Sequence, residues 1–163
     1  GILAGARSKM EYTGVSFASG GQTLDTGAKV VHLAPNTYSM MAAKSLCKDG
    51  GISTTRTLAK IGKMATGARS YTDCKSLILD EKSVSNAIPE VKVECNEVEV
   101  AHEASVGRIS DEAIYYLKTR GISEDEARAM IVRGFTGDIS KELPIEYAME
   151  MNNLIKIEME GTA

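Results

Sequence analysis

Short apolar runs recur along the first two thirds of the 163-residue chain, and they restrict its fold more than any other feature. Each run is rich in aliphatic, often β-branched residues and is bounded by Gly, Asn, Asp or Ser, which is typical of β-strands separated by tight turns. Runs start at Val30, Leu58, Leu77 and Val98, which are 28, 19 and 21 positions apart. This recurrence is typical of solenoids and parallel β-helices. A β-sandwich, in which a strand recurs about every 8–12 residues, also explains much of the pattern.

The composition favours the solenoid. Trp is absent, aromatic residues make up only 5%, and 15 Gly residues accompany many Val, Ile and Ala side chains. Stacked rungs present small aliphatic side chains in ladders and leave little room for large rings. A slip in the apolar phase between Cys95 and Val98 predicts a bulge or tight turn at Asn96 and Glu97. We therefore expect a parallel β-helix in this part of the chain.

The pattern changes to a helical period near His102, and the charge changes with it. Residues 1–101 carry 12 Lys and Arg against 10 Asp and Glu, a net charge of +2. Residues 102–163 carry 7 against 12, a net charge of −5. We predict two domains, with β-helix rungs over 1–101 and a small helical domain over 102–163.

Three helices are predicted in the second domain. Ser110 is the expected N-cap of the first helix and Gly121 the residue after its end, while Ser123 opens the second helix. Gly134 is expected to end the second helix or weaken its last turn. Pro144 fits the first turn of the third helix. Four apolar residues are expected to share one face of that helix: Ile145, Ala148, Met149 and Ile155.

Several function classes have no support in the sequence. No apolar run approaches the ~20 residues of a membrane-spanning helix, and no signal peptide is found, so we expect a cytoplasmic protein without a membrane partner. Residues 44–75 carry seven Lys and Arg against two Asp, but Tyr71 is the only aromatic residue there, so nucleic-acid binding is not expected. The clustered acids and rings of polysaccharide-cleaving enzymes are missing, as is a P-loop. Because the first residue is Gly, we expect the C-terminal piece of a longer protein.

Cysteine and histidine residues are the first candidates for chemistry. The cysteines at 47, 74 and 95 are odd in number and widely spaced, so they predict neither a disulfide framework nor a zinc finger. Cys47 and Cys95 are interpreted as packing residues and His32 as a core histidine. Cys74 starts a strand beside polar residues, and the neighbouring Lys75 would favour its thiolate, so functional and packing roles both stay open.

His102 and Glu103 lie where the predicted strands give way to helices. Imidazole and carboxylate beside a thiolate form a reasonable ligand set for iron. A pair of this kind can equally be structural, for example as a cap at the start of a helix. The residues alone leave both interpretations open.

Six segments, in one order and covering essentially the whole chain, resemble the C-terminal part of SufB subunits of the SufB/SufD family, which assembles iron–sulfur clusters in the SUF system. The segments are residues 25–37, 48–51, 72–76, 102–109, 116–122 and 142–148. The His-Glu-Ala form at 102–104 resembles SufB more than its paralogue SufD. Cys47 departs from the family, in which Ser is common, and 55–58 departs from the usual Tyr-Arg-Gly-Leu. The family's sulfur-entry cysteine lies upstream of the matched part.

The resemblance implies both a fold and a function. The fold is a right-handed parallel β-helix followed by a C-terminal helical domain. The function is that of a non-enzymatic scaffold, on which a transient iron–sulfur cluster forms at a subunit interface at positions corresponding to Cys74, Glu103 and His102. The alternative is an interaction and dimerisation module that recruits an ATPase without binding metal itself.

The resemblance also implies a set of partners. A SufC-type ABC ATPase binds the helical region, and a SufD-like paralogue or a second copy pairs with the end of the β-helix to form a dimer. Sulfur donor proteins supply the sulfur. The sequence indicates neither the cluster type nor whether a flavin binds.

Overall fold

The computed structural model describes residues 1–160, which form eight strands followed by three helices. The strands are β1 (Ile2–Leu3), β2 (Lys9–Ala18), β3 (Thr23–His32), β4 (Tyr38–Cys47), β5 (Ile52–Ile61), β6 (Arg69–Ile78), β7 (Val84–Val93) and β8 (Glu99–Arg108). The helices are α1 (Asp111–Thr119), α2 (Glu124–Glu142) and α3 (Ile145–Glu160).

The strands form two parallel sheets that wind into a β-helix. Sheet A has the order β1-β3-β5-β7, and sheet B has the order β2-β4-β6-β8. All pairings are parallel, and apart from the short β1–β3 pairing they run over the full length of the strands. Because each turn of the chain adds one strand to each sheet, the predicted parallel β-helix is confirmed.

The rungs are longer than the spacing of the apolar runs predicts. Corresponding residues of β2, β4, β6 and β8 are 29, 31 and 30 positions apart. Leu58 and Leu77 are only 19 positions apart because they lie on β5 and β6, in opposite sheets. The steps of 19 and 21 positions between apolar runs therefore do not correspond to one rung.

One corner of each rung contains a residue in the left-handed backbone region. Arg7, Asn36, Gly67 and Glu97 occupy this corner with φ values of 63°, 56°, 73° and 58°. Left-handed φ lets the chain turn sharply between a strand of sheet A and the next strand of sheet B. Glu97 confirms the tight turn predicted there.

The change from strand to helix lies later than the sequence pattern predicts. β8 continues to Arg108, and the first helical residue is Asp111. A boundary between 101 and 102 therefore falls inside the last strand, and His102 and Glu103 are strand residues rather than a helix entry. β8 is exposed along most of its length, so it lacks the apolar alternation that identifies a half-buried strand.

The predicted helix caps are present. Ser110 and Ser123 precede α1 and α2, and their hydroxyl oxygens each accept a hydrogen bond of 3.3 Å, from the backbone N–H of Ala113 and Glu126 respectively. Gly121 follows α1 with a φ of 83°. Side-chain caps satisfy backbone donors that the helix itself leaves unpaired, which is why these starts could be predicted locally.

Two predictions about the helices are wrong. Gly134 does not end α2, which continues to Glu142, because Val132 and Thr136 on either side are fully buried and their packing outweighs the low helix propensity of Gly. The predicted apolar face of α3 is also incorrect. Ile155 is buried, whereas Ile145 and Met149 are exposed.

The helices pack on the outer face of sheet B at the carboxyl ends of its strands. Leu46 and Leu77 of the sheet, with Leu79 just after β6, form one cluster with Val132 of α2 and Ile155 of α3. None of the helices within residues 1–160 is long and apolar enough to cross a membrane. The bundle leaves the middle of β6 and β8 uncovered, and this is where the candidate residues lie.

Candidate metal-binding site at the last rung

The residues selected from the sequence lie on β6 and β8, which are neighbours in sheet B. The register pairs Asp73 with Glu103 and Cys74 with Ala104. β8 is the last strand of sheet B within residues 1–160, so its outer edge carries backbone N–H and C=O groups without a neighbouring strand. The candidate residues are therefore at the open end of the β-helix.

Alternation along the strands separates the candidates into two groups. Cys74 points into the β-helix and is 4% exposed. His102 pairs with Thr72, which lies on the same inner face as Cys74. Glu103 pairs with Asp73 on the outer face. The fold thus brings Cys74 and His102 to one face of sheet B and places Glu103 on the other.

The side chains of His102 and Glu103 are exposed, and neither side chain makes a hydrogen bond or an ion pair with residues 1–160. A cavity of about 420 Å³ lies beside them and is also lined by Met40, Tyr71 and Asp73. Both side chains are accessible to an incoming ion or to another chain.

The three donors suit iron chemically, but they do not form a complete site. Thiolate, imidazole and carboxylate are all ligands that iron accepts in proteins. Within residues 1–160, no three Cys, His, Asp or Glu side chains are grouped closely enough to hold a metal ion. Further donors or a rearrangement of the last rung are needed before this set can hold iron.

The Cys74 thiol is not activated within the chain. Burial raises its pKa, and the negative charge of Asp73 raises it further. Lys75 forms an ion pair with Asp73, with 2.9 Å between Nζ and Oδ2. The expected stabilisation of a thiolate by Lys75 is therefore wrong, and a metal ion has to displace the thiol proton when it binds.

The other two cysteines pack as predicted. Cys47 is fully buried, and its Sγ lies 3.4 Å from the carbonyl oxygen of Val84. Cys95 is half-buried and packs beside Ile61 with Val98 and Val100. Neither of these cysteines is paired in register with a candidate ligand.

His32 is a satisfied core histidine, as predicted. It is fully buried, with Nδ1 2.7 Å from the hydroxyl of Thr37 and Nε2 2.9 Å from the hydroxyl of Ser39. Thr37 donates in turn to the carbonyl oxygen of Ala34. Both ring nitrogens are therefore occupied inside the β-helix, and His32 is not available as a ligand.

Burial of His32 predicts that the protein loses stability in mild acid. Burial lowers the pKa of His32 in the folded chain, whereas an unfolded His titrates near about 6.5. Below that pH the unfolded chain takes up a proton that the folded chain does not, so the free energy of unfolding falls as the pH falls, by up to about 1.4 kcal/mol per pH unit. Urea unfolding between neutral pH and mild acid measures this loss. His32→Gln should reduce this loss. Equal pH dependence of the wild type and His32→Gln contradicts the assignment.

Sequence reasoning did not place Asp73 in the site. Its position beside Glu103 depends on the register of β6 and β8, which in turn depends on a rung of about 30 residues, a length typical of repeating structural units. The sequence marks Asp73 only by its position between Thr72 and Cys74 in the segment 72–76, one of the six segments that resemble the family.

Fold and site together define a class of protein: a parallel β-helix whose open end carries soft and hard metal-ligand donors and whose side carries a helical bundle. Comparison with known proteins specifies the class further. Residues 1–135 match the family model described as "SUF system FeS cluster assembly, SufBD core domain". The chain belongs to the SufBD family of iron–sulfur cluster assembly proteins.

Curated relatives support the same assignment. The chain is 48% identical over 161 residues to iron–sulfur cluster assembly SufBD family proteins of Staphylococcus saprophyticus and Staphylococcus epidermidis, and 47% identical to one of Staphylococcus aureus. Each alignment covers 99% of this chain but only 35% of the relative. The chain thus spans about a third of the length of these relatives.

Proposed function

We propose that this chain is part of a scaffold on which iron–sulfur clusters are assembled, and that it is not itself an enzyme. The observation that carries the proposal is the position of Cys74, His102 and Glu103 at the open end of the β-helix, on two neighbouring strands. The set is incomplete within residues 1–160, and in this proposal a second subunit supplies the further donors. The cluster is the cargo of this site rather than a resident cofactor.

The mixture of donors supports a transient cluster. A permanent cluster is commonly held by four cysteine thiolates. Here one thiolate would hold iron firmly, while the imidazole of His102 and the carboxylate of Glu103 are harder ligands that can release it. In this proposal the protein acts in the cytoplasm, where sulfur donor proteins supply the sulfide. Iron and sulfide bind at this rung and leave it as a cluster.

The end of the β-helix also supports pairing with another subunit. β7 and β8 both lie at sheet edges in the described part of the chain, and Val91, Val93 and Val106 on these strands are exposed. Exposed apolar residues on an unpaired edge mark a surface that another strand can cover. The partner is a SufD-like paralogue or a second copy of the subunit.

Anaerobic reconstitution with iron(II) and sulfide tests the scaffold role. The protein with its paired subunit should develop a thiolate-to-iron absorption band and keep iron and sulfide through desalting. A paired protein that keeps neither contradicts the proposal and favours the alternative, an interaction module that does not bind metal.

The helical bundle provides the observation that favours an interaction role in addition. α3 exposes a set of large apolar side chains on the side away from sheet B: Ile145, Tyr147, Met149, Leu154 and Ile157. Soluble domains rarely expose so much apolar surface on one helix unless a partner covers it. We assign this surface to docking of the SufC-type ATPase.

Substitutions on α3 should weaken ATPase binding without unfolding the protein. Met149→Asp and Ile157→Asp each place a charge in the proposed interface and should reduce affinity by roughly tenfold or more, as loss of a central apolar contact commonly does. Calorimetry with the purified ATPase measures this. Met64→Asp is the control, because Met64 is an exposed methionine in the loop between β5 and β6. Unchanged affinity in both α3 variants excludes this surface as the docking site.

A further inference from the structure

Two pairs of like charges lie side by side on the outer face of sheet B. The register sets Lys44 of β4 beside Lys75 of β6, and Asp73 of β6 beside Glu103 of β8. Like charges directly across neighbouring strands repel and destabilise a sheet. Each pair therefore needs compensation from elsewhere.

The two lysines are compensated differently. The ammonium of Lys44 is held by α2, where it donates to the carbonyl oxygen of Phe135 at 2.6 Å and to Oδ2 of Asp138 at 3.2 Å. The ammonium of Lys75 instead pairs with Asp73 on its own strand at 2.9 Å. Lys75 therefore neutralises a carboxylate of its own strand, whereas Lys44 contacts α2.

The carboxylates are compensated only in part. Oδ2 of Asp73 contacts Lys75, but Oδ1 is buried and has no hydrogen-bond partner within the described residues. Glu103 makes no ion pair there. One ammonium thus faces two carboxylates. Lys75 is next to Lys44 in register, and Lys44 contacts Asp138 at 3.2 Å, so the carboxylate of Asp138 is the acceptor on α2 that lies beside Lys75.

We propose that Lys75 is the internal counter-cation of Asp73 and Glu103, that iron(II) arriving at Glu103 displaces it, and that Asp138 of α2 receives the displaced ammonium. The proposal rests on the proposed function, because it takes Glu103 to be an iron ligand. Lys75 is then a positioning residue, which holds the carboxylates in the metal-free state. Because Asp138 belongs to α2, the seating of the helical bundle influences how readily iron binds.

Manganese(II) alone is the probe, because it binds to carboxylate and imidazole ligands and needs no sulfide. The paramagnetic resonance signal of free manganese measures its affinity for the protein together with its paired subunit, at low ionic strength. Lys75→Met should raise the affinity by roughly tenfold, since one positive charge next to the site is removed. Lys75→Arg keeps the positive charge, so its affinity for manganese should equal that of the wild-type protein. Lys60→Met is the matched control, because Lys60 pairs with Glu94 at 3.3 Å away from sheet B.

A double-mutant comparison tests the role of α2. Asp138→Asn should weaken manganese binding by about threefold in the wild-type background, because the displaced ammonium loses a carboxylate, and by less when Lys75 is already Met. Equal losses in both backgrounds contradict the role of Asp138 as acceptor.

The outcomes separate this proposal from the proposed function. If Lys75→Met leaves the affinity unchanged while Glu103→Gln lowers it, the counter-cation role is wrong and Glu103 stays a ligand. If Glu103→Gln also has no effect, or if no variant binds manganese, both the counter-cation role and the ligand role of Glu103 are wrong. If Lys60→Met raises the affinity for manganese as much as Lys75→Met does, the proposal is also wrong, because the effect then comes from the net charge of the protein.

Discussion

Cys74→Ser is expected to remove the thiolate-to-iron absorption band and to lower the iron retained after reconstitution by at least about tenfold. Loss of a hydrogen-bond partner behind a metal ligand alone costs roughly 10–100-fold in metal affinity, so loss of the thiolate itself should cost no less. Serine fits the buried site, because Cys74 lies on the inner face of β6 in a row with Ser70, Thr72 and Ser76. The substitution therefore tests the ligand rather than the fold.

The other two cysteines provide matched controls for Cys74. Cys47→Ser removes a buried thiol at the end of β4, and Cys95→Ser removes a half-buried one in the loop after β7. Both variants should retain the band. If the band survives in Cys74→Ser but disappears in Cys95→Ser, the thiolate ligand is Cys95 and the assignment to Cys74 is wrong. A band that survives in all three variants excludes thiolate ligation by this chain.

Leu46→Ala is expected to lower the free energy of unfolding by about 2–5 kcal/mol, the usual cost of a cavity left by a buried leucine. Leu46 is fully buried where sheet B contacts α2 and α3, so the substitution also loosens the seat of the helical bundle. Urea unfolding followed by circular dichroism measures the loss.

A second alanine variant shows whether the effect is specific. Ile145 of α3 is 71% exposed, and Ile145→Ala should change the free energy of unfolding by no more than about 0.5 kcal/mol. Equal effects of the two substitutions contradict the packing of the bundle on sheet B. A small effect of Leu46→Ala alone indicates that the bundle and the β-helix are held together by other contacts.

The architecture was predictable from the sequence because its signals are local. Turn residues and short β-branched runs identified sheet strands, and Ser110 and Ser123 marked two helix starts. The rung length was not predictable, because β2 and β4 contain too many polar and small residues to be recognised as strands from their pattern. Gly134 misled the prediction because tertiary packing of α2 outweighs helix propensity.

The candidate site was predictable as a set of residue types but not as a geometry. Cys74, His102 and Glu103 could be selected from their chemistry and from the family resemblance. Whether two of them share a face depends on strand parity and on the register of β6 and β8, and a shift of one residue would reverse it. The charge arrangement around Lys75 depends on the same register, together with the placement of α2.

The assignment of cluster assembly to the open end of the β-helix is tested most directly by measuring iron and assembly state together. Anaerobic size-exclusion chromatography of the reconstituted protein, with iron and sulfide determined across the elution profile, should show both eluting with the paired subunits. Val106→Lys, at the exposed edge strand β8, should shift the protein to single subunits and remove the iron, whereas Met64→Lys in the loop between β5 and β6 should change neither. Single subunits that carry a full complement of iron and sulfide would contradict the account.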